Sequence, residues 1–197
     1  MTFKLGLTGS IGMGKSTTAQ MFVDEGCVLW DADAAVHRLY AQGGAAVAPI
    51  GKVFPRAVVD GAVSRSVLKE IIGKDPGILK RVEKIVHPLV AADRAAFLEQ
   101  STADISVCDV PLLFETGGDS SMDAVACVSI PAEEQQKRVL ERGTMTLDQF
   151  ENIRAQQMRN DEKCLRSDYV IITDTLEHAR MQVQGIVQKI KEQLSHA

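Results

Sequence analysis

The sequence predicts an α/β fold that carries a phosphate-binding loop, and three observations support this. First, Gly9-Ser10-Ile11-Gly12-Met13-Gly14-Lys15-Ser16 matches G-x-x-x-x-G-K-[ST] without a mismatch. Second, the loop lies between a short apolar run at residues 3–7 and a helical pattern at residues 16–25. Third, further apolar runs and helical patterns follow along 197 residues, enough chain for one α/β domain with insertions and a sizeable core.

Each position of the loop has a physical job. The glycines let the backbone turn tightly and bring its N–H groups up to a phosphate chain. Lys15 reaches β- and γ-phosphates, and the Ser16 hydroxyl suits Mg²⁺. The following helix aims free N–H groups and a partial positive charge at the same anion. Ala19, Phe22 and Val23 give that helix an apolar side, and Gly26 stops it. A glycine-rich turn that only joined strand to helix would not need the Lys15-Ser16 pair.

Composition narrows the class. Hydrophobic residues make up 45% and charged residues 24%, ordinary for a globular protein, and the net charge of −4 argues against a non-specific nucleic-acid binder. Cys27, Cys108, Cys127 and Cys164 form no C-x-x-C pair; the first three sit in apolar runs and read as core residues in a reducing compartment. The chain opens directly on its first strand and has no run of about 18 apolar residues. The expectation is a cytoplasmic protein with no membrane or nucleic-acid partner.

Taken in order, the second strand is residues 28–30, ending in Asp31-Ala32-Asp33. Ligands in open α/β sheets sit beyond the carboxyl ends of strands. These acids suit Mg²⁺ binding or proton abstraction from a hydroxyl, or one of them caps a helix expected at 34–41. Along an extended segment, both carboxylates would point the same way. Gly43-Gly44 breaks the chain, and the next sixty residues hold no inner-sheet strand. Asp60-Gly61 marks a turn, and Ser64 opens a helix to Ile72. Asp75-Pro76 starts another helix, running to about Val86. Pro88 is expected to break or redirect it before a helix over 89–100, with His87 at the elbow as a junction residue or a substrate contact.

Residues 105–110 read as a buried parallel strand leading into Pro111-Leu112-Leu113-Phe114-Glu115. Asp109 at its end suits a water-mediated hold on Mg²⁺, or else positions loops or pairs with a base. Residues 124–130 form a fourth strand. A helix at 133–142 carries Arg138 and Arg142 four apart on one face, placed to neutralise charge on a transferring phosphoryl group or simply solvated. Thr146-Leu147-Asp148-Gln149 is a capping-box signature for a helix to about Met158. Residues 169–173 give the last strand and 176–194 the closing helix.

In this order, GLTGSIGMGKST, Asp31-Ala32-Asp33, His87-Pro88, the Asp109–Glu115 stretch, the Gln135/Arg138/Arg142 helix and Gln157-Met158 resemble the dephospho-CoA kinase family over nearly the whole chain. Many enzymes share the loop; DAD and PLLFE at these places are far more specific. The resemblance implies a P-loop NTPase fold with a five-stranded parallel sheet flanked by helices. It implies a core of residues 1–36, 104–136 and 168–197, a helical substrate-binding region at 37–103 and a helical lid at 137–167. The implied reaction is ATP-dependent phosphorylation of the ribose 3′-hydroxyl of dephospho-CoA, the last step of coenzyme A synthesis, with ATP and Mg²⁺ as cofactors and a monomer or small homo-oligomer as the assembly.

By that resemblance Asp33 is the general base, with Lys15 and Arg142 the other catalytic groups. Gly9, Ser10, Ile11, Gly12, Met13, Gly14, Lys15, Ser16 and Thr17 hold ATP, together with Arg138 and Arg142 of the lid. Ser16 holds the metal, while Thr8, Asp31, Asp33, His87, Pro111 and Leu112 serve the substrate. The sequence departs from the commonest pattern at Ser10, Met13, Ile153 and Thr173, where glycine, a small residue, arginine and asparagine respectively are more usual. A regulatory GTPase is set aside, because neither N/T-K-x-D nor D-x-x-G occurs.

Overall fold

The structure, a computed structural model, describes residues 2–75 and 77–196. The chain forms two compact units. One comprises residues 1–30 and 101–197, the other 31–100.

The first unit is built on five strands, β1 (Phe3–Thr8), β2 (Val28–Asp31), β5 (Ile105–Asp109), β6 (Ala124–Ser129) and β7 (Tyr169–Ile172), in spatial order β2-β5-β1-β6-β7. β1 runs parallel to β5 and β6, and β6 runs parallel to β7. The period-two alternation of the central strands divides the core between two faces. Leu5, Leu7, Ala126 and Val128 point to a layer made by α1 (Lys15–Asp24) and α9 (Leu176–Ser195), where Phe22, Val183 and Ile190 are fully buried. Val125 points to the other face, toward Leu113 and Phe114. Gly6 lies on that second face, and a Cβ there would come within 2.7 Å of Leu113. Three helices complete this unit: α6 (Ala132–Glu141), α7 (Leu147–Gln156) and α8 (Asn160–Arg166). The capping box of α7 forms as expected, with Thr146 and Gln149 exchanging side-chain-to-backbone bonds. The sequence reading missed α8. Residues 137–167, the span expected as a lid, fall within the first unit.

The second unit contains α2 (Ala32–Tyr40), α3 (Val47–Val53), the hairpin β3 (Val58–Val59) and β4 (Ala62–Val63), α4 (Arg65–Lys74) and α5 (Gly77–Gln100). It begins at residue 31. The hairpin turns at Asp60-Gly61, both with positive φ, 50° and 77°, as a two-residue primed turn requires. Ser64 caps α4 by accepting from the Val67 N–H. The role given to Pro76 lies outside the described residues.

One expectation fails here. Pro88 does not end the helix: α5 is a single helix with Pro88 inside it, so His87 lies within one helix and not at a junction between two. An interior proline costs a helix about 3 kcal/mol. Packing on both sides of the proline offsets that cost, because Val82 and Val86 are buried before it and Leu89 and Val90 pack on the same core after it.

Candidate active site

Loop 9–16 joins β1 to α1 in a shape that requires glycine at three points, the first being Gly9 with φ of 154°. Gly12 and Gly14 hold φ of 78° and 85°; a side chain at 12 would strike Val139, and one at 14 would lie 3.2 Å from the Thr173 hydroxyl. Four side chains fix the first half of the loop. Asn160 Oδ1 accepts from the Ser10 N–H at 3.0 Å, and Gln157 Oε1 from the Ile11 N–H at 3.2 Å. Gln135 donates to the Ile11 carbonyl at 2.7 Å, and the Thr173 hydroxyl to the Met13 carbonyl at 2.7 Å. Met13 is buried in the core, and its sulfur accepts from the Ile130 N–H.

The second half of the loop is left open. Among the described residues, the N–H groups of Gly12, Gly14, Lys15, Ser16 and Thr17 have no acceptor within the protein. No side chain caps α1, whose N-cap is Gly14. Five donors around a helix start form a cradle for an anion, pre-oriented so that binding needs little rearrangement. This donor set fits a triphosphate. The exposed Ser16 hydroxyl fits a Mg²⁺ ion that shares its coordination with phosphate oxygens, as Mg²⁺ usually does. The described residues contain no cluster of three or more acids, histidines or cysteines that would hold a metal by itself.

Lys15 pairs with Asp109, the last residue of β5, whose side chain is only 2% exposed. Asp109 thus pairs with a base, Lys15.

Thr8 is buried and donates to the Pro111 carbonyl at 3.1 Å. Lys163, fully buried on α8, donates to the same carbonyl at 2.8 Å and pairs with Glu115 at 2.8 Å. Glu115 also accepts from the Met158 N–H at 2.9 Å. The 111–115 segment is thus fastened between β1 and α8, with Leu112 left 40% exposed. Sequence reasoning missed Lys163 and Asn160: their partners lie far along the chain, and no local pattern marks them.

Arg138 is held in place. It pairs with Glu134 at 3.1 Å and donates to the carbonyls of Thr173 at 2.8 Å and Asp174 at 3.1 Å, at the end of β7. Arg142, at the C-cap of α6, is exposed and has no side-chain partner among the described residues. A cleft of about 780 Å³ opens beside the loop, walled by Ser10, Met13, Ile130, Gln135, Arg154 and Met158, a volume suited to a small-molecule site.

Asp31, Asp33 and His87 belong to the second unit. Asp31 is the N-cap of α2, its Oδ1 accepting from the Ala34 N–H at 2.6 Å. The expectation that Asp31 and Asp33 share an extended segment therefore fails. The cap starts the helix at Ala32, two residues earlier than expected, and places Asp33 in its first turn. There Asp33 is exposed and has no side-chain partner among the described residues. His87 is exposed on α5.

A sequence model of the dephospho-CoA kinase family, CoaE, matches residues 3–178. Dephospho-CoA kinases from Ruegeria pomeroyi and a Jannaschia species are similar, at 73% identity over all of both chains and 54% identity over 98% of this chain and 99% of the other. A crystal structure of TT1252 from Thermus thermophilus superposes with TM-score 0.85 at 29% identity, covering 95% of this chain and 97% of that one. A Campylobacter jejuni dephospho-CoA kinase shares the fold, with TM-score 0.71 at 23% identity and 98% coverage of each chain. With the phosphate cradle, its lysine and this full-length similarity together, the chain belongs to the dephospho-CoA kinase family.

Proposed function

We propose the following division of labour for a kinase of this family, whose reaction is the final step of coenzyme A biosynthesis. The acceptor is the ribose 3′-hydroxyl of dephospho-CoA, the donor is ATP, and the reaction takes place in the cytoplasm. The observation that carries the reading is the cradle of N–H groups of Gly12, Gly14, Lys15, Ser16 and Thr17 without an acceptor among the described residues, closed by the Lys15 side chain.

The cradle receives the β- and γ-phosphates. Lys15 moves its charge from Asp109 to the phosphate oxygens, and Asp109 keeps the ammonium close while the site is empty. Mg²⁺, held by the Ser16 hydroxyl, supplies neutralisation of charge on the phosphates when bound. Arg138, anchored on the Thr173 and Asp174 carbonyls, is the fixed arginine and borders the nucleotide. Arg142 is the free one, available for charge that develops on the transferring group. Asp33 orients the 3′-hydroxyl and accepts its proton as the new O–P bond forms. Asp31 holds the helix turn that carries Asp33. Thr8 and Lys163 shape the Pro111-Leu112 segment that, with His87, meets the substrate.

The test is coupled ADP release with dephospho-CoA, nucleosides and nucleoside monophosphates side by side, on the wild type and Lys15→Ala. Turnover is expected with dephospho-CoA alone. Lys15→Ala is expected to lose about 10²–10³ in kcat, the worth of a group stabilising the transferring charge. Equal turnover on a nucleoside would overturn the acceptor assignment. Unchanged kinetics in folded Lys15→Ala would remove the loop from the mechanism.

A further inference from the structure

Two cysteines of the first unit meet beside the loop. Cys127 on β6 is fully buried and Cys164 on α8 is partly exposed, with their Sγ atoms 3.7 Å apart. A disulfide holds its sulfurs at about 2.05 Å, so closure needs an approach on the order of 1.6 Å. Cys27, Cys108 and Cys127 are buried, and of the four cysteines Cys164 is the one that is partly exposed. Burial pushes the Cys127 thiol far above its ordinary range, and the adjacent Cys164 adds to this. Cys127 is therefore a poor first nucleophile, and Cys164 is the first to meet an oxidant.

Asn160 links this pair to the loop. Its Oδ1 accepts from the Ser10 N–H at 3.0 Å and, at 4.0 Å, from the Cys127 thiol. Its Nδ2 donates to the Val128 carbonyl at 3.3 Å, to Ser129 Oγ at 3.2 Å and to Cys164 Sγ at 3.7 Å. Asn160 and Cys164 lie one turn apart on α8, so a pull on one moves the other.

We infer that Cys127 and Cys164 form an oxidisable thiol pair that takes hydroperoxides and, once joined as a disulfide, loosens the phosphate loop through Asn160. The Cys164 sulfur attacks one peroxide oxygen and the O–O bond breaks. The leaving hydroxide takes the thiol proton to become water, and Cys164 becomes a sulfenic acid. The Cys127 sulfur then attacks the Cys164 sulfur, the S–O bond breaks and the hydroxyl leaves as a second water with the Cys127 proton. Two thiols lose two electrons and the peroxide gains them. Closure removes both S–H donors and draws Cys164 toward β6, so Asn160 shifts and the Ser10 N–H loses its acceptor.

The experiment treats reduced full-length protein with hydrogen peroxide and follows intact mass, linked peptides and the KM for ATP. The expected result is a mass lower by two hydrogens, a peptide joining Cys127 to Cys164, and a KM for ATP raised about 2- to 10-fold, the worth of one hydrogen bond. Dithiothreitol should reverse all three, and Cys164→Ser should show none of them while keeping the reduced enzyme's KM. The mass readout does not depend on the reaction assigned above. If Cys164 instead runs on to sulfinic acid while Cys127 still alkylates after denaturation, the pair is overturned. If the joined protein keeps its KM for ATP, the coupling through Asn160 is overturned.

Discussion

The phosphate loop and the first turn of α2 each present an open functional group, and they are held in opposite ways. The loop is pinned by Gln135, Gln157, Asn160 and Thr173, side chains 124 to 160 residues away. The turn carrying Asp33 is held by Asp31, three residues from its partner Ala34. A site that must present five N–H groups to one anion needs a backbone unable to relax, and only tertiary contacts can freeze a glycine-rich segment. A base on a helix needs only the helix to begin in the right place, and a local cap does that.

The largest effect should come from the free carboxylate. Asp33→Asn keeps size and one acceptor oxygen but cannot take the proton, so kcat should fall about 10²–10⁴. ATP affinity by calorimetry should change little. A loss of ATP binding instead would attach Asp33 to the nucleotide side of the comparison.

The buried fastening of the 111–115 segment comes next. Lys163→Met keeps the bulk but leaves Glu115 without its cation, and should destabilise the fold by about 3–5 kcal/mol in urea unfolding. A shift below about 1 kcal/mol, the range of a surface pair, would mean that Lys163 does not hold the segment.

The smallest effects separate the two regions most cleanly. Thr173→Val breaks a long-range pin and leaves the Met13 carbonyl unpaired, at about 1–3 kcal/mol, and the KM for ATP should rise with kcat nearly kept. Asp31→Ala breaks the local cap at about 1 kcal/mol, and here kcat should fall with ATP binding kept. If both variants moved the same parameter, the proposed division between a phosphate side and a base side would fail.

Much of the site was legible because its signals are local. Gly12 and Gly14 declared positive φ through the motif, and the order of apolar runs named all five strands. The Asp31 cap was one of two local readings of an acid before a helix. The extended alternative lost because the cap bond starts the helix at once. Thr173, a departure from the commonest family residue, proved to be a loop pin, a role that no neighbour in sequence announces.

The chain by itself determined the loop, the strand order along the sequence, the Asp60-Gly61 turn and the Thr146/Gln149 capping box. Each of these depends on residues within one turn or one strand of each other. Only the tertiary structure decided that α5 runs through Pro88, that Lys15 rests on Asp109, that Lys163 is buried against Glu115 and that Cys127 meets Cys164. The physical reason is separation. A helix penalty can be outweighed only by a core that other segments build, and a buried charge is tolerable only beside a partner that folding brings to it.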